Sequence, residues 1–154
     1  MELSDIIGPE QIVTSLKAGG VKQLFKEIGG RAQEQLGLDC GQVVEGLLDR
    51  ERLGSTAMGG GVAIPHARLA GIDKIAGFFL RLDRPLDFEA ADGLGVDLVF
   101  VLLVAEDSGS DHLRALAKVS RLLRDEETCT KLRAGGDQNA LYALLTDQAT
   151  SRAA

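Results

Sequence analysis

The sequence predicts an α/β domain in which a small mixed β-sheet lies between two layers of helices, a three-layer α/β/α sandwich. Two observations support this fold class. Apolar residues recur with the helical period near both ends of the chain, whereas the middle carries short, nearly continuous aliphatic runs typical of buried strands. The 154 residues, 45% of them hydrophobic, have the size and composition of one compact domain. We therefore expect a single domain over 1–154, with a frayed tail at 148–154.

Three helices are expected in the first third of the chain. The first begins at Pro9, which suits a first helical turn, and ends at Gly19-Gly20. Its inward stripe would consist of Ile12, Val13 and Leu16. The second covers about 22–36, although Gly29-Gly30 inside it costs about 1 kcal/mol per glycine relative to alanine and leaves its regularity open. The third follows Asp39, which can cap it.

The hydrophobic period changes in the middle of the chain. The segments expected as strands are 62–64, 75–82 and 96–104. The last is almost uninterrupted aliphatic sequence, which indicates a central strand covered on both faces. A polar loop at 107–111 follows. The helices expected after it are 111–124, 126–133 and 139–145.

Composition and charge exclude several classes of function. The net charge is −6, the pI is near 4.9, and there is no Trp, which argues against a nucleic-acid-binding surface. The apolar run at 96–105 is far shorter than the roughly 20 residues that span a bilayer, and the first residues lack signal-peptide features. Cys40 and Cys129 lie far apart, and no cluster has metal-ligand spacing. We expect a cytoplasmic protein with no nucleic-acid partner, membrane insertion, metal or cofactor.

The clearest chemical signal is His66, one of only two histidines. It follows three glycines at 59–61 and an apolar run that ends in Pro65, so we expect it where the chain leaves the sheet. Backbone N–H groups of such a glycine loop, that of Gly61 included, can bind an anion. A neutral imidazole can hold one nitrogen by a hydrogen bond and use the other as a nucleophile. Taken alone, the pattern fits an ordinary turn histidine at least as well.

Four other polar residues could serve a phosphorylated histidine. His112 lies at the edge of an apolar stripe in the first turn of a predicted helix, where it would face the sheet and stay neutral. Arg50 has the planar fork that binds two phosphate oxygens at once. Ser55 and Thr56 could donate hydroxyl hydrogen bonds to the same oxygens. Taken singly, these residues also fit a half-buried core histidine, a helix-end arginine and turn residues.

The chain carries four motifs in a fixed order, at 49–56, 61–66, 97–104 and 112–113. Together they resemble the enzyme IIA domain of the fructose/mannitol class of the bacterial phosphotransferase system. The nitrogen-related form of that domain, IIA-Ntr, is the most similar, and segments 3–7 and 141–147 resemble it as well. The similarity covers about residues 3–147, nearly the whole chain.

The resemblance implies a fold and a set of site residues. It implies a mixed sheet between helix layers, phosphorylation of His66, a position close to it for His112, and an Arg50 side chain that faces the phosphate. It also implies a phosphocarrier that needs no cofactor. The phosphate would come from a phosphohistidine on a small HPr- or NPr-like donor protein.

The use of the phosphate remains open at this point. A IIA-Ntr-like component would regulate downstream proteins through its phosphorylation state, because a doubly charged group changes which partners can bind. A sugar-transport IIA component of the fructose/mannitol type would pass the phosphate to a IIB domain. The chain carries no fused IIB-like cysteine motif, which favours regulation, although transport IIA domains can also be separate chains. A scaffold that never turns over is the third possibility, and the intact His66 argues against it.

Overall fold

The computed structural model describes the backbone of residues 1–153 and the side chains of residues 1–147. Two single 3-10 turns, Leu3–Asp5 and Pro9–Gln11, open the chain. Six strands and five α-helices follow in the described part: β1 Ile12–Leu16, α1 Val21–Leu36, α2 Cys40–Arg52, β2 Ala57–Gly59, β3 Val62–Ala63, β4 His66–Leu69, β5 Ala76–Leu86, β6 Val96–Ala105, α3 Ser110–Leu123, α4 Glu126–Arg133 and α5 Gln138–Ala153. The frayed tail predicted for 148–154 falls on side chains outside the described residues.

The sheet is mixed and is built around β6. Strand β6 pairs antiparallel with β5 and parallel with both β3 and β4. Strand β1 joins the far side of β5 in parallel, and β2 pairs antiparallel with β3. Neighbours on both edges of β6, together with helices on both faces, explain why its residues are almost all apolar.

Helices cover both faces of this sheet, as the sequence predicted. Helices α1 and α2 pack on one face through Leu24, Phe25, Ile28, Val43 and Leu47. Helices α3, α4 and α5 pack on the other face through Ala115, Val119, Leu122, Leu132, Leu141 and Leu145. Burial of each large side chain contributes roughly 1.5–3 kcal/mol, so the two apolar layers supply most of the stabilisation. The three-layer α/β/α prediction is confirmed.

The helix predicted from Pro9 to Gly19-Gly20 is wrong. Only the single 3-10 turn Pro9–Gln11 forms, and Ile12–Leu16 is strand β1, paired with β5. The Gln11 side chain accepts from the Gly8 N–H at 2.8 Å and donates to the Gly77 carbonyl at 2.8 Å, which ties the turn to the sheet. The apolar spacing fits a helix, but the β-branched residues prefer a strand once a partner strand is available.

The glycine pair in α1 does not interrupt the helix. Gly29 faces α2 closely: a Cβ atom there would lie 2.8 Å from Cγ2 of Val44 and 2.9 Å from Sγ of Cys40. Gly30 faces open space. The first glycine therefore permits close packing of α1 against α2, which is a structural reason for a residue with low helix propensity.

The other helices and strands lie near their predicted positions. Helix α4 has the predicted bounds, α3 differs by one residue at each end, and α5 extends well beyond the predicted 139–145. The short strands β2 and β4 were not predicted. None of the helices in the described part of the chain combines the length and the apolar character of a membrane-spanning segment.

Candidate functional site

His66 is the first residue of β4. Its position on the sheet follows from the register that β3 and β4 share with β6. Strands β3 and β4 lie along the same edge of β6, with Val62 opposite Leu98 and His66 opposite Leu102. The two residues between the strands do not shift this register, because the Pro65 carbonyl accepts from the Leu102 N–H at 3.0 Å. His66 therefore lies on the sheet, whereas the sequence placed it where the chain leaves the sheet.

Two hydrogen bonds define the state of the His66 ring. Its Nδ1 atom lies 3.0 Å from the carbonyl oxygen of Ile64, which can only accept, so Nδ1 carries the proton. The Nε2 atom then carries an unprotonated lone pair. It accepts from the Nε–H group of Arg50 across 3.2 Å. The half-buried ring is thus held through Nδ1 by a backbone carbonyl, and Nε2 is its unprotonated nitrogen.

Arg50 connects this ring to the turn after α2. Its Nη1 group donates to the Gly54 carbonyl at 2.8 Å, while its Nε–H reaches His66. Arg52, two residues later, instead pairs with Asp49 and lies 3.7 Å from Glu45 on the exposed side of α2. Of these two helix-end arginines, only Arg50 contacts the histidine.

His112 lies beside His66, with 5.2 Å between the ring centroids and 59° between the ring planes. It extends from the first turn of α3 and is only 7% exposed. Neither of its ring nitrogens has a hydrogen-bond partner among the described residues. A buried polar atom without a partner costs about 1–3 kcal/mol, so a group that hydrogen-bonds to this ring would relieve a real penalty.

Burial lowers the pKa of both histidines. For His66, the nearby charges of Arg50 and Arg68 also lower the pKa, while the Ile64 carbonyl and the Glu51 carboxylate oppose the shift. For His112, the His66 ring and Arg68 add to the effect of burial. Both rings are therefore neutral at pH 7, which is the state in which an imidazole nitrogen can act as a nucleophile.

The hydroxyl groups of Ser55 and Thr56 both donate hydrogen bonds to other parts of the protein. The Ser55 hydroxyl donates to the Phe88 carbonyl. Thr56 is buried, and its hydroxyl donates to Oε1 of Glu51 at 2.6 Å, while its N–H donates to Oε2 at 2.9 Å. Neither hydroxyl hydrogen is free for a phosphate in this conformation, so their phosphate-binding role stays a prediction.

The structure does not bring Gly61 to His66. The two residues are five positions apart on an extended segment, roughly 16 Å at about 3.3 Å per residue. Gly61 has a φ of 81° and lies beside the ion pair of Arg133 with Asp97, whose closest atoms are 2.9 Å apart. A Cβ atom at Gly61 would lie 2.6 Å from Nη2 of Arg133. This glycine serves a tight turn at the far end of β3.

Three residues close in the chain to the site residues were not predicted from the sequence as part of the site. Arg68 follows His66 on β4, and its Nη1 group donates to the Glu106 carbonyl at 3.2 Å. Leu53 and Leu113 are 85% and 64% exposed, next to the Arg50 turn and to His112 respectively. Strand alternation would have revealed Arg68 if His66 had been placed on a strand. Leu53 carries no sequence signal. Leu113 belongs to the apolar pattern expected of helix 111–124, which favours burial, and its exposure corrects that expectation.

No group of three or more His, Cys, Asp or Glu side chains among the described residues could hold a metal ion. The polar groups that converge at the site are two neutral imidazoles and guanidinium groups. Such a set is suited to a doubly charged oxyanion.

Comparison with known proteins gives a consistent result. Residues 5–148 match the family model described as phosphoenolpyruvate-dependent sugar phosphotransferase system, EIIA 2. A nitrogen regulatory protein of Bradyrhizobium diazoefficiens is 50% identical over 145 residues, which cover 94% of this chain and 95% of that protein.

Solved structures agree with the sequence matches. The crystal structure of nitrogen regulatory protein IIA-Ntr from Neisseria meningitidis has a TM-score of 0.89 and 36% identity, over 94% of this chain and 99% of that one. The structure of IIA mannitol from Escherichia coli has a TM-score of 0.76 over 90% and 98% of the two chains. At 22% identity, this second match concerns the fold alone.

Proposed function

Because the chain belongs to the EIIA 2 family of the phosphoenolpyruvate-dependent sugar phosphotransferase system, we propose that it is a cytoplasmic phosphocarrier whose acceptor is His66. The donor is a phosphohistidine on a small HPr- or NPr-like protein. One observation carries the proposal: Nε2 of a neutral His66 lies 3.2 Å from the Arg50 Nε atom, while Nδ1 is held by a backbone carbonyl.

The proposed transfer needs no external base. The Arg50 Nε–H group first moves off the Nε2 lone pair of His66. That lone pair then attacks the phosphorus of the donor, a P–N bond forms at Nε2, and the electron pair of the broken P–N bond returns to the donor ring. The Nδ1 proton stays in place, and the Ile64 carbonyl, 3.0 Å from Nδ1, stabilises the positive charge that the ring acquires. The protein's contribution is therefore positioning and electrostatic stabilisation.

Two side chains are placed to receive the transferred group. The Arg50 guanidinium lies against Nε2, so a phosphoryl group that displaces it from that atom would meet its N–H groups. His112, 5.2 Å away between ring centroids, could donate to a phosphoryl oxygen and so satisfy a ring nitrogen that is buried without a partner. Each charge-assisted hydrogen bond contributes roughly 1.5–3 kcal/mol.

The donor is a protein, and two exposed leucines offer it a contact surface. Leu53 lies on the turn that Arg50 holds through Gly54, and Leu113 follows His112 directly. Side chains of this size, 85% and 64% exposed, gain stabilisation only if a partner covers them. They support docking of an apolar protein surface around the histidine pair.

We assign the phosphate a regulatory use. The similar protein of Bradyrhizobium diazoefficiens is called a nitrogen regulatory protein, and the IIA-Ntr structure carries the same description. A phosphoryl group would add nearly two negative charges beside the apolar side chains Leu53 and Leu113, which changes which proteins can bind there. The alternative is a IIA component of a fructose/mannitol-type transport system that passes its phosphate to a IIB domain.

Intact-mass analysis tests the proposal. The chain, incubated with enzyme I, phosphoenolpyruvate and a small HPr- or NPr-like carrier, should gain the mass of one phosphoryl group that is labile in acid and stable in alkali. The His66→Ala variant should gain none. Uptake of phosphate by that variant would contradict the assignment, and efficient transfer from the wild-type chain to an added IIB domain would favour transport over regulation.

A further inference from the structure

Strand β4 carries a cationic residue, Arg68, on the same side as the neutral His66. Along this strand Ala67 and Leu69 are buried under α2, where Gly46 allows close approach: a Cβ atom on Gly46 would lie 3.1 Å from Cβ of Ala67. Successive strand residues point to opposite faces, so His66 and Arg68 extend together from the other face. Their Cα atoms are about 6.8 Å apart at the rise of an extended strand.

The packing of β4 fixes this arrangement. All four β4 residues keep one register with β6, from His66 opposite Leu102 to Leu69 opposite Ala105. A slip by one residue would bury Arg68 under α2 and expose Leu69, at a cost that no local contact could offset. The common face of His66 and Arg68 is therefore set by the core.

The Arg68 guanidinium is held by one hydrogen bond to a backbone carbonyl and forms no ion pair with a described side chain. Its Nη1 group donates to the Glu106 carbonyl at 3.2 Å, at the end of β6 and just before the loop that leads to α3. None of the ion pairs between described side chains includes Arg68. Its charge nevertheless acts on both rings, because it contributes to the lowered pKa of His66 and of His112.

We infer that Arg68 is a second cation for the phosphoryl group on His66, acting from the strand while Arg50 acts from the end of α2. This inference rests on the proposed function. A phosphoryl group carries nearly two negative charges, which one guanidinium does not balance. The Glu51 carboxylate adds a further negative charge on the Arg50 side, where it raises the pKa of His66. Arginines on two different elements, Arg50 on α2 and Arg68 on β4, give a more complete balance.

Position 68 lies just beyond the 61–66 motif that marked the site in the sequence. The guanidinium fork donates to several oxygens at once, and the tether to Glu106 uses only Nη1, which leaves the other N–H groups available. The exposed position means that salt will screen its effect, with a Debye length of about 10 Å at 0.1 M.

The test compares Arg68→Ala and Arg68→Lys with the matched control Arg121→Ala. Arg121 is an exposed arginine near the end of α3, so its loss makes the same change in net charge away from the histidines. The full chain is phosphorylated through enzyme I, phosphoenolpyruvate and a small carrier. Two quantities are measured: the transfer rate at low and high salt, and the apparent pKa of the phosphoryl group from its ³¹P NMR shift.

The expected results separate this role from a structural one. Arg68→Ala should slow transfer by about two- to fivefold at low salt and raise the phosphoryl pKa by roughly half a unit, as expected for an exposed ionic contact. High salt should reduce both differences, Arg68→Lys should retain most of the wild-type behaviour, and Arg121→Ala should match the wild type.

Two results would overturn the inference. One is an unchanged phosphoryl pKa in Arg68→Ala, even with slower transfer, because Arg68 would then act on donor docking alone. The other is an equal effect of Arg121→Ala, which would reflect net charge. If the wild-type chain takes up no phosphate at all, the proposed function itself fails, and the two failures are thereby distinguished.

Discussion

The Nε–H group of Arg50 donates to the Nε2 atom of His66 across 3.2 Å. A guanidinium on the free nitrogen of a neutral imidazole keeps the ring unprotonated and marks the position that a phosphoryl group would occupy. The same arginine holds the turn after α2 through the Gly54 carbonyl. The contact therefore links the end of a helix to the sheet residue that we propose as the nucleophile.

Removal of Arg50 should change both the rate of phosphorylation and the pKa of the His66 ring. In Arg50→Ala we expect phosphorylation to slow by about 10- to 100-fold, the equivalent of one charge-assisted hydrogen bond of roughly 1.5–3 kcal/mol. The pKa of His66 should rise, because Arg50 lowers it. Single-turnover transfer and an NMR titration measure the two effects. Arg31→Ala, on the exposed side of α1, is the control, and equal rates in both variants would contradict the role of Arg50.

Stability should depend on the two histidines in mildly acidic solution. Burial lowers both pKa values below the ordinary value of 6.5, so just below that pH the unfolded chain binds more protons than the native one. Their contribution to the unfolding free energy is complete above pH 6.5 and is lost as the pH falls toward the native pKa values. Urea unfolding between about pH 7.5 and pH 5.5 measures this loss.

The chain offers a clean control for this pH dependence. It contains only two histidines, so the double variant His66→Gln with His112→Gln has no imidazole left to titrate. Its unfolding free energy should change less over the same pH window than that of the wild type. A wild-type stability that stays constant or increases on acidification would show that the rings are not shifted in this direction.

The exposed leucines should affect docking and leave the fold intact. Leu53→Ser and Leu113→Ser should raise the KM for the phosphorylated donor by about three- to tenfold, since burial of a leucine contributes roughly 1.5–3 kcal/mol when complete. Thermal unfolding should barely change for either variant. Leu94→Ser is the matched control: this leucine is 55% exposed but precedes the start of β6, far along the strand from Leu102 and His66. An equal KM for all variants would argue against this docking surface.

The two adjacent glycines of α1 should respond in opposite ways to alanine. Gly29→Ala places a methyl group 2.8 Å from Val44 Cγ2, so helices α1 and α2 must separate. We expect the free energy of unfolding to fall by about 1–3 kcal/mol. The methyl group of Gly30→Ala would have no neighbour within 4 Å. The higher helix propensity of alanine should raise the free energy of unfolding by up to about 1 kcal/mol. Urea unfolding of the two variants measures both effects. A Gly29→Ala chain as stable as Gly30→Ala would contradict the close packing of α1 on α2.

Much of this fold could be predicted because its apolar patterns are strong. The aliphatic run that became β6 and the stripes of α1, α2 and α3 are visible in the sequence. Strand β1 could not be predicted, because Ile12, Val13 and Leu16 satisfy a helical stripe as well as a strand. Only the pairing with β5, a contact distant in sequence, decides between the two.

The site shows the same division. The motifs predict His66, His112 and Arg50, and the structure brings these three side chains together. The proton on Nδ1 depends on the direction of the Ile64 carbonyl, which residue types do not specify. Gly61 lies elsewhere because the glycines at 59–61 make a turn between strands. The three glycines alone indicated an anion-binding loop next to His66, but the register of the strands places them at the far end of β3.

Long-range ¹H–¹⁵N NMR of the histidine side chains, before and after phosphorylation, examines the state of His66 itself. The geometry predicts a neutral ring with its proton on Nδ1 before transfer, and a phosphorus coupling at Nε2 of His66 afterwards, with His112 unmodified. A proton on Nε2 in the free chain, or phosphorus on Nδ1 or on His112, would contradict the assignment of His66 Nε2 as the acceptor.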